Sequence, residues 1–276
     1  RRRTHRTAGA RFAATAGTGR PGAEEPVAII GMSGRFPDAR TVGELWDILA
    51  EGRSVIRPAP AERREWRADG KERRMGWVPG IAEFDPMFFE IAPSEAETMD
   101  PRQRLLLEEM WKALEDAGLG RDQLGSERVG VFVGVEEGDY RSIAAAEEGI
   151  TSNHNAVLAA RLSYFLNLTG PGVAINTACS SALLAVHEAC LSLRNGDCDT
   201  AVVAGVNLMA TPREYDALDG AGMLSPQGVC RAFDRRADGM VPGEAVAAIV
   251  LKKRDQARRD RHPVYASIIG SGINND

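Results

Sequence analysis

The chain has 276 residues and a formal net charge of −5 at pH 7, with 43% hydrophobic and 26% charged residues. That balance suits a water-soluble globular protein with a substantial core. No apolar run approaches the roughly 20 residues of a membrane-crossing helix, and no secretory h-region is present. The four cysteines, Cys179, Cys190, Cys198 and Cys230, lack Cys-x-x-Cys or metal-finger spacing. This argues against a disulfide framework and makes the cytoplasm the expected compartment.

The first twenty residues carry six arginines and no acid. Residues 1–24, rich in Gly, Ala, Thr and Arg, read as a basic, disordered inter-domain linker, with contact to nucleic acid or an acidic partner as the other reading. The chain begins at Arg1 rather than Met, so it is expected to be a piece of a longer polypeptide. Order is expected from Pro26. Val27 to Met32 predicts a buried strand, with Gly31 and Gly34 bracketing a tight loop. Thr41 to Gly52 reads as a helix, with Thr41 as cap, Glu44 completing a capping box and Gly52 past the last turn. Residues 53–80, charged and broken by three prolines, read as a surface excursion. Asp100-Pro101 starts a strong helix to Ala117, with Leu105, Leu106, Met110 and Leu114 as its apolar face.

Further strands are expected at 128–135, 173–178, 200–209, 245–252 and 264–271, with helices at 156–166 and 180–193. Short β-rich runs alternating with amphipathic helices predict a layered α/β fold around a largely buried mixed sheet. Gly31-Met-Ser-Gly fits neither a dinucleotide-binding fingerprint nor a Walker A loop, and Gly130-Val-Phe-Val-Gly134 reads as strand alternation.

The most informative stretch is Val173 to Cys190, an apolar strand that ends at Cys179 and passes at once into an Ala/Leu-rich helix. A cysteine on that corner sits where unpaired N–H groups and the helix macrodipole favour negative charge, and so favour the thiolate. Ala178, Ser180, Ser181 and Ala182 are small and leave room for a substrate. A buried structural cysteine is the other reading of the same pattern.

Several ordered motifs resemble the β-ketoacyl synthase domain of modular polyketide synthases. They are Glu25-Pro-Val-Ala-Ile-Ile-Gly-Met-Ser-Gly-Arg-Phe-Pro37, Phe84-Asp-Pro-Met-Phe-Phe-Glu-Ile91, Met99-Asp-Pro-Arg-Gln-Arg-Leu-Leu-Leu107 and Trp111-Lys-Ala-Leu-Glu-Asp-Ala-Gly118. Asn176-Thr-Ala-Cys-Ser-Ser181, Gly222-Met-Leu-Ser-Pro226, Cys230-Arg-Ala-Phe-Asp-Arg-Arg-Ala-Asp-Gly239 and Pro242-Gly-Glu244 follow in the family's order. The resemblance covers residues 25–276, identified as the N-terminal portion of a ketosynthase domain. It implies a thiolase-like α-β-α-β-α fold of two similar halves, of which this is the first.

It also implies a homodimer, with the strand before Cys179 pairing with its twofold mate. Cys179 becomes the nucleophile that takes an acyl chain from the phosphopantetheine of an acyl carrier protein. A decarboxylative condensation with a malonyl-type thioester would follow. No cofactor is bound directly and no metal is implied. Ser181 and Met240 are the expected substrate-binding positions, Met240 because its segment lies near the family's acyl site.

The family's two catalytic histidines and its lysine match no position here, so a C-terminal half is an expected partner. His187 cannot replace them, being two helical turns, or about 12 Å, from Cys179. His5, His154 and His262 read as structural or solvated. The sequence departs from the family's usual pattern at Asn176, Ala182, Met240 and Ala245. The alternatives are a non-elongating acyl-transfer or carrier-binding domain and another thiolase-like synthase. Neither nucleic-acid nor membrane recognition has a supporting motif.

Overall fold

The computed structural model describes residues 25–144 and 150–274; the linker reading for residues 1–24 lies outside the described residues. In chain order the elements are β1 (Val27–Arg35), α1 (Val42–Ala50), β2 (Ile56–Pro58), β3 (Arg74–Gly76), α2 (Pro93–Thr98), α3 (Pro101–Asp116) and α4 (Arg121–Leu124). Next come β4 (Val129–Val135), α5 (Ile150–Asn153), α6 (Val157–Leu166), β5 (Gly172–Ile175), α7 (Ser181–Asn195) and β6 (Thr200–Asn207). The last are α8 (Arg213–Gly220), β7 (Ala245–Lys253), α9 (Arg254–Arg259) and β8 (Ala266–Ile268).

One six-stranded sheet has the order β5-β4-β6-β7-β1-β8, with β5, β4 and β6 parallel and the remaining pairs antiparallel. All seven residues of β4 are buried, as expected of a parallel strand covered on both faces. Alternation along the strand sends Val131 and Val133 into the cluster holding Leu106, Met110 and Leu162, from α3 and α6. Phe132 enters the opposite cluster with Ala185, Ala189 and Leu193 of α7, so helices cover both faces. The layered mixed sheet agrees with the pattern of short β-rich runs.

Helix α3 starts as expected: the Asp100 carboxylate accepts from Arg102 N–H at 2.8 Å, and Pro101 follows. In α1 the Thr41 hydroxyl accepts from Glu44 N–H at 3.1 Å, but the Glu44 carboxylate accepts from the Arg40 N–H rather than that of Thr41. The expected box is thus closed one residue early.

Two expectations need correction. Gly31 and Gly34 do not bracket a loop, because β1 runs through both to Arg35 with one irregularity between Ile29 and Gly31. Gly31 is needed where α3 presses on the strand, since a Cβ there would run into the Ala113 carbonyl oxygen. Residues 53–80 are also more than a surface excursion. Trp66, Met75 and Trp77 are fully buried with Met209 in a small core of their own, and β2 and β3 pair. The two indole rings meet edge to face, their centroids 4.7 Å apart. The charges around them are matched by distant partners: Arg73 pairs with Asp69 and Asp216, and Arg63 with Glu244. Strand ends also retract, from 173–178 to 172–175 and from 264–271 to 266–268.

Candidate active site

Strand β5 ends at Ile175, and the five residues 176–180 turn the chain into the fifteen-residue helix α7. Small side chains tie this turn together. The Asn176 side-chain oxygen accepts from Ala178 N–H at 3.1 Å, and the Ser180 hydroxyl donates to the Thr177 carbonyl at 2.8 Å. The Ser181 hydroxyl accepts from Thr177 N–H at 2.9 Å and donates to the Ala178 carbonyl at 2.6 Å. Within this mesh Ala178 has a φ of +55°, a left-handed conformation that a non-glycine residue holds only when its surroundings over-determine it.

Cys179 is the next residue, and it is exposed. It stands just before α7, whose N-cap Ser180 makes no side-chain capping bond to the helix. The Cys179 backbone forms an isolated bridge with Thr177 within the turn. An exposed sulfur and the positive end of a helix dipole therefore share one corner. A carbonyl oxygen that gains negative charge against the first turn of α7 would be stabilised there.

The other cysteines divide by burial. Cys190 and Cys198 are buried, and burial pushes both thiols above their ordinary range; for Cys198 a contact with the Ser192 hydroxyl at 3.3 Å acts in the opposite direction. Cys230 is exposed, but it lies in the loop before β7 rather than at a helix start.

Of the two expected substrate-binding residues, Ser181 is buried and both hydrogen-bonding capacities of its hydroxyl are spent inside the turn. It shapes the corner from within. Met240 is 36% exposed, and its backbone joins Met223 and Ser225 on a separate loop pair. That loop is organised by a hydrogen bond of 2.7 Å from the Ser225 hydroxyl to Asp238.

The three described histidines have local partners. Nδ1 of His187 meets the Ser271 hydroxyl at 2.9 Å, His154 Nδ1 accepts from Ala156 N–H, and His262 Nδ1 lies 3.0 Å from the Ala117 carbonyl. The last two thus have partners that their polar settings did not reveal.

Sequence reasoning placed Glu244 in a family motif but gave it no role. Its buried carboxylate accepts from Val78 N–H at 3.0 Å and Met209 N–H at 3.1 Å while pairing with Arg63. Arg63 also donates to the Met209 carbonyl, as does the Trp66 indole at 3.1 Å. One carboxylate thus joins the end of the 53–80 segment, the exit from β6 and the entry to β7. Burial pushes its pKa up, against the opposing pull of Arg63 and the two amides. The signal in the sequence was its place at the end of the Pro242-Gly-Glu244 motif, just before an apolar strand. A separate cleft of about 550 Å³ between the end of α3 and the end of α9 is lined by Asp116, Glu127, Asp260 and His262, among others, and takes nothing from the 176–181 corner.

A strand, a tight turn with a left-handed residue and an exposed cysteine at the head of a helix stand on a mixed α/β sheet, an arrangement that fits the thiolase-like fold. The family model described as "Beta-ketoacyl synthase, N-terminal domain" matches residues 24–257, and the chain belongs to that family. It is 51% identical over 257 residues to polyketide synthase ThaG of Burkholderia thailandensis, covering 93% of this chain and 5% of that protein. It is 48% identical to polyketide synthase PksM of Bacillus subtilis, covering 92% of this chain and 6% of the relative. Among solved structures it resembles the ketosynthase from module 6 of the bacillaene synthase of Bacillus subtilis. The TM-score there is 0.83 at 46% identity, covering 91% of this chain and 43% of the other. The chain therefore spans a small part of the curated relatives and under half of that solved ketosynthase. No described helix is long and apolar enough to cross a membrane.

Proposed function

We propose that this chain supplies the nucleophilic half of a polyketide-synthase ketosynthase, with Cys179 as the acyl acceptor. The observation that carries the reading is the exposed Cys179 at the start of α7, which has no side-chain cap. In the first step the Cys179 thiolate attacks the thioester carbonyl of an acyl group borne on the phosphopantetheine of an acyl carrier protein. The tetrahedral oxyanion is held by the Cys179 N–H, and collapse expels the phosphopantetheine thiolate. In the second, a malonyl-type thioester on a carrier protein loses CO2, and the resulting enolate carbon attacks the Cys179 acyl carbonyl. A carbon–carbon bond forms, the bond from sulfur to the acyl group breaks, and the Cys179 thiolate is regenerated.

The decarboxylating histidines and the lysine are assigned to the part of the ketosynthase that lies outside this chain, a C-terminal half acting as partner. Met240 is assigned to the acyl-binding wall. For Ser181 the role proposed is positioning, since its hydroxyl is already committed to the turn. The chain is further proposed to act in a homodimer. β5 lies at one end of the sheet order, paired with β4 on one side, and Val173 is 38% exposed. Such an edge calls for a partner strand.

The test uses the full-length protein with acyl and malonyl groups presented on its carrier proteins. The expected result is acylation at Cys179, then release of CO2 and a product longer by the extender's two backbone carbons. Acylation without condensation would favour a non-elongating acyl-transfer domain. Absence of acylation would overturn the proposal.

A further inference from the structure

Helix α7 begins almost in contact with the sheet backbone, and two glycines make this possible. Gly134 near the end of β4 and Gly205 near the end of β6 are register partners on adjacent parallel strands, so they present the same face. A Cβ at Gly134 would run into the backbone of Ser181 and Ala182. A Cβ at Gly205 would lie 2.8 Å from the Ala182 Cβ, with the next nearest atom, the Ala182 Cα, at 3.8 Å. The first turn of α7 therefore rests on bare backbone at the carboxyl ends of these strands. Two independent features sit directly above this floor: the left-handed Ala178 and the inward hydroxyl of Ser181. The turn is thus held from below as well as from within, and Cys179 is the exposed residue at its apex.

We propose that Gly134 and Gly205 are positioning residues for Cys179, their missing side chains setting the height of the first turn of α7 and so the place where sulfur and backbone N–H meet an acyl thioester. The inference rests on the proposed function above and deepens it. A purely stabilising role for these glycines would leave the reactivity of the cysteine unchanged in any variant that folds. A positioning role changes that reactivity without changing donor binding. The geometry also predicts a compensating swap, because the Ala182 methyl is the atom a new methyl at 205 would meet. Moving the methyl from 182 to 205 relieves the clash and leaves only ordinary contacts.

The experiment compares Gly205→Ala, Ala182→Gly and the double variant in the full-length protein. It measures iodoacetamide labelling of Cys179 against pH by peptide mapping, acyl loading over a range of donor concentrations, and thermal unfolding. Gly205→Ala is expected to lower labelling and the saturating loading rate by about five- to tenfold, with half-saturation unchanged, since displacements of tenths of an ångström at a reacting atom are costly. The double variant and Ala182→Gly should stand within about twofold of the unaltered protein. A folded Gly205→Ala protein with unchanged labelling and loading overturns the inference. So does a double variant that is unfolded or still impaired. If Gly205→Ala is unfolded at the assay temperature, Cys179 labelling is compared at a lower temperature where thermal unfolding shows the variant native, and unchanged labelling there overturns the inference. Labelling needs no acyl donor, so its response to the swap survives even if the unaltered protein proves unable to load an acyl group. That outcome would sink the proposed function and leave the positioning role standing.

Discussion

Helices α3 and α7 both begin beside the same sheet, yet their first turns are built in opposite ways. At α3, buried Asp100 accepts from Arg102 N–H, the Arg102 guanidinium closes back on the same carboxylate at 2.7 Å, and Pro101 fills the first helical position. The Asp100 and Arg102 charges are matched to each other there. At α7 the N-cap Ser180 gives the helix no side-chain bond, Ala178 two residues before it holds a left-handed backbone, and Cys179 between them is exposed. Stability is invested at one helix start and withheld at the other, and the open start is where a reacting group can be received.

The contrast is sharpened first by reactivity, where the effect is largest. In the folded full-length protein at neutral pH, limiting iodoacetamide should label Cys179 at least tenfold faster than Cys190 or Cys198. Those two are enclosed and their thiols are pushed up by burial, so less thiolate is present and less can be reached. Raising the pH should narrow the gap only in part, because enclosure remains. Exposed Cys230 is the internal control for exposure without a helix start. Equal labelling of Cys179 and Cys230 would remove any special role for the open end of α7.

A smaller effect separates the two caps. Asp100→Ala should cost about 2 kcal/mol, combining a lost cap with a stranded buried guanidinium. Ser180→Ala should cost no more than about 1 kcal/mol, because it gives up an exposed hydrogen bond to the Thr177 carbonyl but no helix N–H depends on that side chain. Denaturant unfolding of both variants checks the asymmetry, and a Ser180→Ala loss as large as that of Asp100→Ala would break the comparison.

Much of this architecture is legible in the amino-acid order. The apolar runs at 129–135 and 200–207 and the Asp-Pro start of α3 carry strand and helix signals strong enough to survive tertiary context. The strand-cysteine-helix corner is equally plain, and the ordered motifs around it resemble a known family. What stayed hidden depends on partners distant in sequence. Gly31 reads as a turn residue, but its role is the close approach of Ala113 on α3. Trp66 and Trp77 sit in a charged run whose arginines find their carboxylates at Asp216 and Glu244. Gly134 reads as ordinary alternation until the backbone of Ser181 and Ala182 is seen above it. Ser181 reads as a polar group facing a substrate, whereas burial turns its hydroxyl inward.

The central claim is that the open start of α7 makes Cys179 the acyl acceptor. It is tested most directly by incubating the full-length protein with an acyl thioester of phosphopantetheine and mapping the adduct by peptide mass. The acyl group should appear on the peptide holding Cys179, be absent from those holding Cys190, Cys198 and Cys230, and vanish in a folded Cys179→Ala protein. Acylation that persists in that variant, or maps to Cys230, would contradict the account.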